Sequence, residues 1–90
     1  PNELGRILLS LCKNNAYALD KATEEKIHIF FEKQVSLKDG NFANGRLVRN
    51  LYDDLIMNHA RRVVNISNIK RDDLSLITEV DFDATYVEYS

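Results

Sequence analysis

The chain has 90 residues, of which 44% are hydrophobic and 29% charged, with one proline and three glycines, and its formal charge is -2. That size allows one small domain and excludes a second core, and the composition is that of a soluble globular protein, not a disordered one. A pI near 5.6 excludes bulk attraction to nucleic acid or an anionic membrane, so any anion binding must come from local clustering of cations.

Asn2 is placed to cap a first helix over residues 3–14, in which Leu4, Ile7, Leu8, Leu11 and Cys12 recur at helical spacing and form one apolar stripe. Cys12, the only cysteine, excludes an internal disulfide and reads as a buried thiol in a reducing compartment. "NNAYALD" reads as a connection, and Asp20 as the cap of a second helix over 21–35. Its stripe is Ala22, Ile27, Phe30 and Phe31, continued by Gln34 or Val35, with Glu24, Glu25, Lys26, Glu32 and Lys33 on the other side.

"SLKDGNFAN" is rich in turn formers and predicts a loop anchored by Phe42. A third helix should start at Gly45 or Arg46, capped by Asn44, and run to Asn65, with Leu47, Val48, Leu51, Leu55, Ile56, Ala60, Val63 and Val64 as its apolar set. Further on, "LSLI" predicts a short extended segment. Thr78 to Asp81 has the S/T-x-x-D/E form of a helix start, predicting a short fourth helix or a single turn. Residues 84–90 look like a strand or a frayed end, with helix also left open. The expected fold is all-α, a small three- to four-helix bundle with a minimal β element near the C-terminus.

"GNFANGRLVRN" comes within two letters of the nucleotide-binding pattern G-x-x-x-x-G-K-S/T: Gly40 and Gly45 are correctly spaced, but Arg46 and Leu47 stand at the lysine and hydroxyl positions. Such a cradle also needs a buried strand before it, and "FFEKQVSLKD" is a helix end and a polar loop. The spacing is therefore coincidental. What survives is a basic helix start. Arg46 and Arg49 lie on one side of the first turn, where a phosphate would meet the helix dipole and a guanidinium able to bind two oxygens at once. A surface arginine paired with Asp53 or another carboxylate explains Arg46 equally well, and an i,i+4 pair with Asp53 explains Arg49.

Other polar residues support less. His59, Arg61 and Arg62 read as a solvated face sooner than a basic patch, and His28 as a packed or half-exposed helix residue sooner than a metal ligand. Asp72, Asp73, Asp81 and Asp83 lack the alternation and closing glutamate of a calcium loop, and nothing places a Ser-His-Asp triad.

"FANGRLVRNLYDDLIMNHARRV" resembles the C-terminal lid subdomain of AAA+ ATPases of the red-type rubisco activase and stage V sporulation protein K group, where a line of the type F-G-N-A-R-x-V-R-N precedes a long helix. Phe42, Asn44, Arg46, Val48, Arg49 and Asn50 match that line, as do Ala60 to Arg62; Ala43 and Gly45 depart from it, where the group more often has glycine and alanine. "ELGRILLSLCKNNAYALDKATEEKI" is similar to the first two lid helices and "LSLITEVDF" to the closing segment, so the resemblance spans nearly the whole chain.

The resemblance implies that Arg46 is the sensor-2 residue, reaching the γ-phosphate of ATP held with Mg2+ in a preceding large α/β subdomain. Arg49 would be a second contact to nucleotide or to an adjacent subunit, and Asn44 the helix cap beside them. It further implies a homo-hexameric ring that remodels a client protein. Separately, no run approaches the roughly 18 apolar residues of a membrane span and the N-terminus lacks a basic region followed by an apolar core, so a cytoplasmic location is expected. The chain has no lysine-bearing P-loop and no strand ending in Asp-Glu, both of which phosphoryl transfer requires. The fragment should therefore be inactive and bind neither ATP nor a metal alone, and its start without methionine suggests a piece of a longer ATPase. The reading from another class is a stand-alone helical module that binds nucleic acid or a protein through Arg46, Arg49, Asn50, Arg61 and Arg62; nucleic acid and membrane are not expected partners of a lid.

Overall fold

The computed structural model describes the backbone of residues 2–35 and 41–89, and the side chains of 3–33 and 45–85 among them. Helix α1 spans Asn2–Asn14, strand β1 Ala18–Leu19, α2 Lys21–Val35 and α3 Asn41–Val63. A 3-10 turn at Arg71–Leu74 and strand β2 at Leu76–Ile77 lead to α4, Glu79–Tyr89. The two strands pair in parallel, Ala18 with Leu76 and Leu19 with Ile77. The expected helical bundle with a minimal β element is thus what forms.

One core joins all four helices. Leu4, Leu8 and Cys12 of α1 meet Ile27, Phe30 and Phe31 of α2, Val48, Leu51, Tyr52 and Leu55 of α3, Ile77 of β2 and Phe82 of α4. The Phe30 ring stands edge-on to Phe31 and Phe82, at centroid distances of 5.5 and 5.9 Å, a geometry that aromatic quadrupoles favour. Cys12 is buried as expected, and burial pushes its thiol up to about 11.

The expected stripes are rotated in places. Ile7 and Ala22 face solvent, while Thr23 is fully buried. Asp20 does cap α2: its carboxylate accepts bonds from the Thr23 amide at 2.8 Å and from the Thr23 hydroxyl. Satisfying that hydroxyl lets Thr23 turn inward with Ile27, Phe30 and Phe31. In α3, Ala60 is exposed, as is Val64 just beyond its end, and Tyr52 and His59 are buried in their place.

Helix α1 ends in a Schellman turn. Tyr17 N–H donates to Cys12 O at 2.8 Å and Ala16 N–H to Lys13 O at 3.1 Å, which places Ala16 at the left-handed position with φ 64°. An L-residue there costs about 1–2 kcal/mol, partly offset against glycine by glycine's larger loss of chain entropy, about 0.5–1 kcal/mol. Ala16→Gly should therefore raise stability by about 0.5–1 kcal/mol, a melting shift of roughly 2–8 °C. A lower melting temperature would contradict the turn.

At Gly5, α1 lies against the His28 side chain of α2. The glycine is buried, and a Cβ added there would overlap the His28 imidazole. His28 is thus the packed, half-buried residue expected. Gly5→Ala should destabilise the chain by about 1 kcal/mol, since overpacking costs roughly 1–3 kcal/mol and the gain in helix propensity offsets up to about 1. Adding His28→Ala should relieve most of that loss. Additive losses in urea melts of the single and double variants would rule out the contact.

Candidate functional site

Helix α3 has two sides. Val48, Leu51 and Leu55 are buried and fix its orientation, which leaves Arg46, Arg49, Asn50 and Asp53 exposed on the outward side. This is the amphipathic logic of a helix docked on a core. It brings the two candidate arginines and Asn50 onto one surface, as their spacing requires.

The start of α3 differs from expectation. The helix begins at Asn41, so Asn44 lies within it and is not its cap, and residues 41–44 are helix where a loop was predicted. Polar and glycine-rich composition suggested a loop, but extending an established helix fixes only one residue per added hydrogen bond and contains no proline to stop it. The Phe42 anchor lies outside the described side chains. Two consequences follow for phosphate binding. The four residues between Gly40 and Gly45 are not a loop whose amides could wrap a phosphate, and Arg46 sits in the second turn, beyond the strongest part of the helix dipole. Any anion binding here rests on the side chains.

Arg49 is held in place. Its Nε lies 3.5 Å from Asp53 Oδ1 and its guanidinium carbon 5.8 Å from the centre of the Tyr52 ring. Arg49 and Asp53 are 65% and 56% exposed, so this pair stabilises the helix by only about 0.3–0.5 kcal/mol and restrains the guanidinium without sequestering it. Tyr52 beneath it is buried, and burial raises its phenol above the ordinary value.

His59, Arg61 and Arg62 form neither a solvated face nor a basic patch. His59 is buried, with Nε2 2.9 Å from the Asp73 carbonyl and its ring edge-on to Tyr17. Arg62 turns inward onto Asp81: Nε and Nη2 donate to the two carboxylate oxygens at 2.9 and 3.2 Å, and Nη2 also to Leu76 O at 2.9 Å. Arg61 alone stays exposed, against Met57.

Asp81 also accepts the Thr78 amide at 3.0 Å, so one half of the expected capping box forms. The Thr78 hydroxyl, which would make the other half, is buried with no partner. Of the two alternatives, a short fourth helix forms: it runs to Tyr89, eleven residues, and takes in residues 84–89 of the C-terminal segment. Asp83 pairs with Lys26, which lies 3.0 Å from it and 3.1 Å from Glu79; these two carboxylates hold the Lys26 ammonium above its usual value. Among the described residues no group of three or more His, Cys, Asp or Glu could hold a metal ion.

A small helical bundle with an outward basic helix is a geometry many proteins share, and it is the comparison of sequences that narrows it. The AAA lid domain profile matches residues 1–89. The chain belongs to the AAA lid domain family. No curated protein and no solved structure matches it significantly. In this lid, then, the helical subdomain of an AAA+ ATPase, α3 is the longest element and carries its candidate arginines in the N-terminal half, while the C-terminal half is tied into α4. No helix among the described residues is long and apolar enough to cross a membrane. The residue that sequence reasoning undervalued is Asp81: its cap role was legible from Thr78, but its partner Arg62 lies 19 positions away and leaves no local signal.

Proposed function

We propose that this lid senses nucleotide for an AAA+ ATPase of the red-type rubisco activase and stage V sporulation protein K group, with Arg46 in the sensor-2 role. The observation that carries the reading is the exposure of Arg46 on the outward side of α3, in a chain that matches the AAA lid profile throughout. The chain offers guanidinium groups and no cradle, which fits a single contact to a phosphate held elsewhere. ATP, bound with Mg2+ in the large subdomain of the same protein, would supply the anion and the energy of hydrolysis. Arg46 would donate to the γ-phosphate, and Arg49, restrained by Asp53 and Tyr52, would add positive potential or meet an adjacent subunit. Because Val48, Leu51 and Leu55 seat α3 in the core, a pull on Arg46 would move the bundle and not one side chain. In a homo-hexameric ring that movement would be transmitted to remodel a client protein.

The reading as a stand-alone module for nucleic acid or a protein partner has fewer groups to work with. Arg62 is committed to Asp81, and the charge of Arg49 is partly offset by Asp53. The deciding experiment is Arg46→Ala in the intact ATPase, read by turnover and client remodelling alongside the melting temperature of the lid.

A further inference from the structure

Helices α3 and α4 are joined by a ladder of polar contacts between buried and half-buried side chains. Asn58 and Arg62, one turn apart on α3, face Asp81 and Thr85, one turn apart on α4. Arg62 grips the Asp81 carboxylate with two bonds. Asn58 Nδ2 donates to the Asp81 carbonyl at 3.1 Å and to Thr85 Oγ1 at 2.7 Å, and the Thr85 hydroxyl donates to the Asp81 carbonyl at 3.2 Å. Asp81 and Thr85 are essentially inaccessible to solvent. Elsewhere α1, α2 and α3 share the apolar core, and α2 meets α4 through Phe30 against Phe82 and through the Lys26 pairs with Glu79 and Asp83.

Apolar contacts are non-directional, so they tolerate sliding and rotation of one helix on another. Hydrogen bonds do not: a shift of α4 by one residue would misdirect every rung and strand a buried carboxylate and a buried hydroxyl. Well-packed apolar residues in place of buried polar pairs often match or exceed their stability, so such pairs act chiefly where they select one arrangement. We infer that Asn58, Arg62, Asp81 and Thr85 form a register lock that makes α4 move as one body with α3. Arg62 extends the lock to β2 through the Leu76 carbonyl. The inference stands without the assignment of Arg46, because it concerns how the bundle is held and not what it senses. Its consequence for a lid is that a displacement of α3 carries α4 with it.

The test measures distances between spin labels on this chain at Asn50→Cys and Ala84→Cys, both exposed positions; Cys12, buried and protonated, stays unlabelled. One variant carries Asn58→Leu and Thr85→Val, a second Arg62→Met and Asp81→Leu, a third all four. The expected result is a single narrow distance in the parent. The third variant should keep its melting temperature within about 10 °C and show a distribution at least twofold broader or split. If it fails to fold, Asn58→Leu with Thr85→Val is measured the same way. A folded variant with the parent's narrow distribution overturns the lock. So does unfolding of that milder pair, which would make the ladder a source of stability instead of register.

Discussion

Asp81→Ala is expected to lower the stability of the lid by about 3–5 kcal/mol, the range for breaking a buried ion pair from one side. The cost arises on three elements. The Arg62 guanidinium, 23% exposed, loses both carboxylate bonds and keeps only the Leu76 carbonyl; the Thr78 amide loses its acceptor; and a small cavity opens between α3 and α4. Residual hydration of Arg62 places the loss toward the lower end. Even so, it is a large part of the roughly 5–15 kcal/mol that holds a domain folded, and the melting temperature should fall by about 12–25 °C. Asp81→Asn keeps an acceptor for Thr78 and one bond to Arg62, so its loss should be nearer 1–2 kcal/mol. Urea unfolding of the two variants orders them. A loss below about 1 kcal/mol for Asp81→Ala would mean that the carboxylate is not buried against Arg62 as described.

The position of Asp81 against Arg62 illustrates what the sequence could and could not reveal. Caps are local, so Asp20 with Thr23 and Thr78 with Asp81 marked helix starts correctly. Periodicity found α1, α2 and most of α3, because a helix docked on a core must repeat its apolar residues every three or four positions. It did not tell which edge of each stripe touches a neighbour, and Ile7, Ala22 and Val64 fell outside while Thr23 and His59 fell inside. The reason in both inward cases is a satisfied polar atom, supplied to Thr23 by Asp20 three residues before it and to His59 by the Asp73 carbonyl, fourteen residues on. The paired strands are two residues each and lie far apart in the chain, too short for any alternation to register. Residues 84–89, rich in β-branched and aromatic types, suited a strand by propensity, yet the capped start of α4 and the bond of Thr85 to Asn58 hold at least the first part in a helix. The candidate site was legible as residue types on one helical side. The early start of α3, which moves Arg46 from the first turn to the second, was not.

That shift sharpens what Arg46→Ala should do in the intact ATPase. With the helix dipole weakened at its position, Arg46 would act through its guanidinium alone. Removing a single charged donor from a developing negative charge typically lowers turnover by about 10²–10³-fold, and a fall of about 10²-fold in ATP turnover is expected here. Arg46→Lys should restore only part of it, because an ammonium cannot form the two parallel bonds of a guanidinium. Arg49→Ala should cost less, since Asp53 already offsets the charge of Arg49. Arg46 is exposed, so its replacement should change the stability of the lid by no more than about 0.5 kcal/mol; the loss of turnover would then belong to the contact and not to the fold. If kcat falls while KM holds, Arg46 acts in the hydrolytic step, whereas a rise in KM alone makes it a binding residue. Wild-type turnover and client remodelling in Arg46→Ala would remove Arg46 from the nucleotide site.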